Sequence, residues 1–201
     1  MEDLAEIVSN ATPITTSFNT QGRLSSQLYH VAQLISTHEA RGVDRDLFYV
    51  EFDGWDGHAD EGGSHFEELL DEVNSGLHSF VTEMQRQGYW DNIAIVSGSD
   101  FGRTLTSNGQ GTDHSWAGNG FLMGGQVRGG NIYNEFPMSL LEGSEQDLGR
   151  GRLLPKYPLE SIYVPVAEWM GITGSDLDSV FPNLRNFNAS RDIVPVATLF
   201  V

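Results

Sequence analysis

The chain of 201 residues contains no cysteine and a single lysine, Lys156. The lack of cysteine excludes disulfide bonds and thiolate metal sites. No apolar run approaches the roughly 18 residues that a membrane-spanning helix needs, so no membrane span is expected. The first residues, Met-Glu-Asp-Leu-Ala-Glu, lack the basic and apolar regions of a signal peptide, and they leave the cellular compartment unknown.

Positive charge is also scarce. The chain has 11 Lys and Arg residues against 28 Asp and Glu residues, which gives a net charge of −17 at pH 7. Such a charge repels phosphate backbones, so nucleic acid is not an expected partner. The length fits one domain. The predicted boundaries are an N-terminal arm over residues 1–23 and a single α/β domain over residues 24–201.

Two apolar segments, Leu47–Phe52 and Ile93–Ser97, are predicted to be core strands. Between them, apolar residues recur at helical spacing from Phe66 to Met84, after a capping box at Ser64–Glu67 and before a stop at Gly88. A strand, a helix and a second strand in this order predict a parallel pair whose strand ends point the same way.

Other elements complete the prediction. A helix is expected over residues 24–40, ended by Gly42, and a last helix is expected to start or kink near Pro165 and to end at Gly171. The glycine-rich stretch 101–118 is longer than a simple connection. It leads into a third strand at Phe121–Met123, so either this strand is antiparallel or the loop crosses the sheet.

Acidic and histidine residues follow the predicted strand ends and occupy the long loop: Asp56, His58, Asp100, Asp113 and His114. Ligands bind at the carboxyl edge of open α/β sheets. Carboxylates with imidazoles suit zinc, manganese or iron, and carboxylates alone suit magnesium or calcium. Because Asp-x-His and Asp-His are common pairs, separate structural roles for these residues remain an alternative.

Several segments together closely resemble the DUF1501 family, which is related to the alkaline phosphatase and sulfatase superfamily. The resemblance extends in order over about residues 24–187. It rests on Gly54–His58, Ser99–Thr104, Gly111–Trp116, Gly124–Gly130, Gly149–Pro155, Trp169–Gly171 and Phe181–Leu184.

The resemblance implies a fold and a metal site. The expected fold is α/β, a doubly wound, mostly parallel sheet with helices on both faces, like alkaline phosphatase but truncated. Asp56 and His58 match an Asp-x-His ligand motif, Asp100 matches the aspartate of a Ser-Asp-His-Gly motif, and His114 matches a later metal-binding histidine. Arg103 would bind an anionic oxygen of the substrate, with a structural salt bridge as the alternative.

The chain also departs from the superfamily pattern. Phe101 stands where a second metal-binding histidine is frequent, although phenylalanine is usual in DUF1501, and Gly57 replaces a threonine. Ser115 and Asn119 alter the loop after Asp-His. The chain resembles a C-terminal half, without the half that carries the Ser or Thr nucleophile, and the residues 15–17 (Thr-Thr-Ser) follow no predicted strand.

Two functions follow as hypotheses. The first is a metal-dependent hydrolase that acts on a small phosphate or sulfate ester with a divalent ion (zinc, manganese, magnesium or calcium). The second is a non-catalytic binding or assembly protein that retains the fold. Its partner would be another protein or a second copy, which would cover a sheet edge exposed by the missing strands.

Overall fold

The computed structural model describes residues 4–59 and 63–201. Contacts along the chain group these residues into two compact units. The described part of the first unit comprises residues 4–56 and 63–91, and the second comprises residues 57–59 and 92–201. The boundaries predicted for an arm and a single domain stay predictions.

The first unit is helical. Its helices are α1 (Leu4–Ser9), α2 (Arg23–Ser36), α3 (His38–Arg41) and α4 (Ser64–Gln87), and a 3₁₀ turn at Trp90–Asn92 follows α4.

The core of the first unit lies between α2 and α4. Gly76 lies at this contact, where an added Cβ would be in ordinary van der Waals contact with the Leu28 side chain at 3.4 Å and the Ser25 backbone at 3.5 Å. Apolar side chains at i, i+3 and i+4 spacing give each helix one buried face. The buried apolar residues of these two helices are Leu24, Leu28, Ala32, Leu69, Phe80 and Met84.

The helix ends test the predicted boundaries. Gly42 and Gly88 adopt φ angles of 64° and 79°, which confirms both as left-handed helix stops. The helix predicted over residues 24–40 is interrupted at Thr37, whose hydroxyl donates to the Leu34 carbonyl at 2.8 Å. The capping box at Ser64–Glu67 is wrong, because Gly63 is the N-cap of α4.

A buried carboxylate connects the N-terminal residues to α4. Glu83 has no solvent exposure, and it accepts hydrogen bonds from the Thr16 amide at 3.0 Å and the Thr16 hydroxyl at 2.6 Å. Arg86 and Gln87 donate at 2.7 and 2.6 Å. Burial alone would raise the pKa of Glu83, but these hydrogen bonds lower it to about 2. Thr16 therefore has a structural role here.

The second unit contains the strands. They are β1 (Ala94–Val96), β2 (Gly102–Ser107), β3 (Thr112–Ser115) and β4 (Leu122–Gly124), followed by α5 (Glu160–Trp169), α6 (Ser175–Val180), a 3₁₀ turn (Leu184–Asn186), α7 (Ala189–Asp192) and α8 (Val196–Leu199).

The predicted doubly wound, mostly parallel sheet is wrong. In the described part of the chain there are two small antiparallel sheets, β1 with β4 and β2 with β3. Residues 47–52 form no strand, so the predicted parallel pair is missing. Residues 101–118 contribute their own hairpin, and the strand predicted at Phe121–Met123 is antiparallel, one of the two expected arrangements.

Helix α5 begins at Glu160, before Pro165. Pro165 has no N–H to donate to the carbonyl of Ser161. The Val194 amide donates to this carbonyl instead, at 3.1 Å, so the buried acceptor is satisfied by a later segment. The stacking of Trp169 on Phe200, with centroids 5.0 Å apart, joins the same two regions.

None of the helices in residues 4–59 and 63–201 has both the length and the apolar character needed to cross a membrane.

Candidate metal centre

The β2–β3 hairpin places two predicted site residues opposite each other. Arg103 and His114 are direct partners in the antiparallel register. Side chains of such a pair leave the sheet on the same face, with Cβ atoms about 4.5–5.5 Å apart. The hairpin therefore places a guanidinium group and an imidazole together, although they are separated in the sequence.

A bulge in the hairpin shapes the backbone around Asp113. The register shifts between Arg103 and Ser107, and buried Thr104 fills the irregular part. Its hydroxyl accepts from the Asp113 amide at 3.1 Å and donates to the Thr106 carbonyl at 2.8 Å. The Asp113 backbone is therefore fixed even though the ladder is interrupted.

Segment 57–59 lies against the turn of this hairpin. The Thr112 amide donates to the Gly57 carbonyl at 3.2 Å, and the Asn108 side chain donates to the His58 carbonyl at 3.1 Å. Gly111 makes this approach possible, because a Cβ there would lie 2.1 Å from the Gly57 oxygen. The absence of a side chain at Gly111 thus positions His58 next to β3.

Asp56, His58 and His114 form a group that could bind a metal ion. Each offers one ligand atom, and these atoms lie within 4.8 Å of one another. All three residues are exposed. The group is therefore open to water and to a small molecule.

Aromatic stacking orients the His114 ring. Phe101 stacks on it with a centroid distance of 3.8 Å and an interplanar angle of 9°. The His58 ring lies 4.8 Å from it at 26°, and the Arg103 guanidinium lies 5.1 Å from the Phe101 centroid. Phe101 therefore supplies a stacking surface for the His114 imidazole.

Asp113 lies beside the group without belonging to it. Its Oδ1 atom is 3.5 Å from Nδ1 of His58. The hydrogen bond from Asn108, with the charge of Arg150, holds the pKa of Asp113 below its ordinary value, against a desolvation that would raise it. Carboxylates often orient metal-binding histidines in this way, from outside the ligand shell.

Arg150 is a site residue that the sequence analysis missed. Its guanidinium donates to Oδ2 of Asp113 at 2.7 Å. Its φ angle of 59° is in the left-handed region, between Gly149 at 84° and Gly151 at 67°. The Gly151 carbonyl accepts from the Leu105 amide at 2.9 Å, which fixes this loop to β2. The glycines on both sides of Arg150 were the available signal.

The structure brings some of the predicted site residues together and leaves others apart. Asp56, His58 and His114 come together, whereas exposed Asp100 is not part of the group that the described residues form. Arg103 donates to the Thr112 carbonyl at 2.8 Å as well as lying near Phe101. The ligand roles of Asp56, His58, Asp100, Asp113 and His114, and the catalytic role of Arg103, stay predictions.

The donor set fits a transition metal better than magnesium or calcium. Two imidazoles and one carboxylate are typical ligands of zinc, iron or manganese, whereas magnesium and calcium prefer oxygen alone. Catalytic zinc sites commonly use three protein ligands and leave the fourth position to water. Metal–ligand bonds of about 2.0–2.2 Å require the three donor atoms to move closer than they lie here, and their exposure permits this.

Comparisons with known proteins identify the family. The model of a family described as a protein of unknown function, DUF1501, matches residues 4–146. Searches of the curated proteins and of the solved structures find no match. Because the family match extends over more than half of the 201 residues, the chain belongs to the DUF1501 family.

Proposed function

We propose that the protein is a metal-dependent hydrolase of the alkaline phosphatase and sulfatase superfamily that acts on a phosphate or sulfate ester. The observation that carries this proposal is the group of Asp56, His58 and His114, with ligand atoms within 4.8 Å of one another. These are three of the five residues whose types and positions predict a metal site. The superfamily assignment rests on the motifs quoted above.

Asp56, His58 and His114 would hold the divalent ion. When bound, the ion supplies Lewis-acid polarisation of the ester and a lowered pKa for a bound water. In hydrolysis the water oxygen forms a bond to phosphorus or sulfur and the ester bond breaks. One proton of the water is transferred to the departing alcohol. No Ser or Thr nucleophile is needed for this reaction.

The neighbouring side chains would orient a metal ligand and attract an anionic substrate. Asp113 fixes the His58 ring from its Nδ1 side. Arg103, opposite His114 in the hairpin, and Arg150, paired with Asp113, supply positive charge beside the group in a chain that is strongly acidic. Guanidinium groups match the oxygens of a phosphate or sulfate in a bidentate manner, which favours an anionic ester over a neutral one.

Metal analysis of purified wild-type protein, Asp56→Ala and His114→Ala tests the proposal. We expect one bound zinc or manganese per wild-type chain, and hydrolysis of p-nitrophenyl phosphate or sulfate that chelation abolishes. Each substitution should weaken metal affinity by more than the roughly 10–100-fold that loss of an outer-shell partner costs. His78→Ala is the matched control, since His78 is an exposed histidine of α4.

The proposal fails if the wild-type protein binds no stoichiometric metal and neither substitution changes ester hydrolysis. If the metal binds but no ester is hydrolysed, the result supports the metal site and contradicts the hydrolase function.

A second function, non-catalytic assembly, is favoured by one observation. Leu47 and Tyr49 are 86% and 87% exposed, although their segment has the composition of a buried strand.

A further inference from the structure

The segment from Arg45 to Asp53 has the side-chain geometry of a strand without the hydrogen bonds of one. Along these nine residues exposure alternates without interruption: the odd-numbered residues are exposed and the even-numbered ones are half-buried. An alternation of period two is what a strand with one packed face produces. The exposed face carries Leu47, Tyr49 and Glu51, and the packed face carries Phe48 and Val50.

One edge of this segment is already bonded. The Gln27 side chain donates to the Glu51 carbonyl at 2.8 Å and accepts from the Glu51 amide at 3.3 Å. The Asp53 carbonyl accepts from Arg23 at 3.1 Å. Because the N–H and C=O of alternate residues point to the same edge of a strand, the odd-numbered residues direct their backbone groups toward α2.

The opposite edge is open. The backbone groups of Phe48 and Val50 point there, and no hydrogen bond joins them to any described residue of the chain. Unpaired edges of apolar strands bind other strands. The edge formed by Phe48 and Val50 is therefore able to accept a strand.

We propose that this edge pairs with the same edge of a second copy, in an antiparallel register centred on Tyr49. In that register Phe48 of one copy pairs with Val50 of the other, twice, and the two residues of each pair exchange both hydrogen bonds. The packed faces of both strands stay on the same side of the new sheet. Tyr49 lies opposite Tyr49 at the two-fold axis, in a pair without hydrogen bonds.

Charge complementarity selects a second copy as the occupant. The same register places Arg45 of each copy opposite Asp53 of the other. The Arg45 side chain lies on the exposed face. One oxygen of the Asp53 carboxylate pairs with Arg23 of the same copy. The Asp53 side chain is still 73% exposed, so its other oxygen is accessible to Arg45 of the second copy. Opposite charges directly across a sheet stabilise the pairing. Two copies of the segment therefore match in three ways. Their open backbone edges can exchange hydrogen bonds, their packed faces lie on the same side of the sheet, and their opposite charges lie across from each other.

Single cysteines test the register, because the natural chain has none. We expect wild-type protein to elute as a dimer in size-exclusion chromatography with light scattering at physiological salt. Tyr49→Cys should form a disulfide-linked dimer under mild oxidation with oxidised glutathione, because Cα atoms of such a pair lie about 4.5 Å apart, within disulfide range.

Leu47→Cys is the matched control. Its two cysteines would lie four positions apart along the strands, about 14 Å, and should not form a disulfide. Tyr49→Asp should give a monomer, since two carboxylates would meet at the axis, and circular dichroism would verify that it is folded. A monomeric wild-type protein, or equal cross-linking of the two cysteine variants, overturns the proposal.

Discussion

At the scale of the residue, Glu83 illustrates how a buried charge is stabilised. A carboxylate without solvent exposure is strongly destabilising unless donors replace the lost water. Here Thr16, Arg86 and Gln87 supply these donors. The lowered pKa means that the charged form, not the neutral acid, is the one that the fold stabilises.

This arrangement predicts a pH-dependent effect of Glu83→Gln. The pKa falls from an ordinary 4.5 to about 2 on folding, so the stabilisation is complete above pH 4.5 and is lost as the pH falls toward 2. At pH 7 the substitution should lower the free energy of unfolding by about 2–3 kcal/mol, since it disrupts a buried charged network.

Urea unfolding of wild-type protein and Glu83→Gln at several pH values gives the measurement. The difference between them should shrink steadily from pH 4.5 to pH 2. A difference that does not depend on pH would contradict the ionic explanation. Glu68→Gln, an exposed residue of the same helix, is the control and should differ little from wild type.

At the scale of the element, the longest helix and the strands near residues 94–96 and 122–124 could be predicted, but the pairing of the strands could not. Helix α4 and its stop at Gly88 follow from apolar spacing and one glycine, which are local properties. The segment at residues 47–52 has strand composition, but a strand also needs a neighbour to accept its backbone bonds, and sequence composition does not specify that neighbour. The β2–β3 hairpin had a local signal, Asn108-Gly109, a typical turn pair.

The proximity of Asp56, His58 and His114, whose metal binding stays a prediction, has a different basis. The motifs named Asp56, His58 and His114 by residue type, and the structure brings these three together by a hairpin and not by the predicted parallel strand ends. Arg150 and the stacking of Phe101 on His114 depend on loop conformation and on packing. Neither property can be read from spacing, so Arg150 had no assigned role and Phe101 was named only as a departure from the superfamily pattern.

The contact of segment 57–59 with the hairpin turn predicts the effect of Gly111→Ala. The added methyl group would lie 2.1 Å from the Gly57 oxygen and 2.7 Å from the His58 backbone, so the segment must shift. A shift of about 1 Å at a ligand is enough to disrupt a site. Gly111→Ala should therefore weaken zinc binding, measured by calorimetry, about as much as removing a ligand.

Gly118→Ala is the matched control for this element. A Cβ at Gly118 would meet only the Gly102 backbone, at an ordinary 3.9 Å. This variant should bind zinc like the wild type. If the two variants bind zinc equally, the position of segment 57–59 does not determine metal affinity.

At the scale of the whole molecule, charge is the dominant property. A net charge of −17 destabilises compact states through self-repulsion, and salt screens it, with a Debye length of about 8 Å at 0.15 M. The same repulsion opposes contact between two copies. The dimer proposed above should therefore strengthen as salt is added to a low-salt solution.

The prediction at this scale is that the melting temperature at pH 7 rises with sodium chloride between low and moderate ionic strength. The same protein at a lower pH is the control. Near its isoelectric point of about 4.4 the net charge is close to zero, so the melting temperature should depend little on salt. Differential scanning fluorimetry at both pH values measures it. Equal salt dependence at pH 4.4 and pH 7 would contradict this explanation.

The left-handed backbone of Arg150 has a consequence for engineering. A side chain held at a φ of 59° costs the fold about 1–2 kcal/mol compared with glycine, and its exposed ion pair with Asp113 returns little of that. A screen for thermostability alone would therefore tend to discard the arginine. A screen for turnover would retain it if the charge serves the site, so that the two kinds of selection would diverge at this one position.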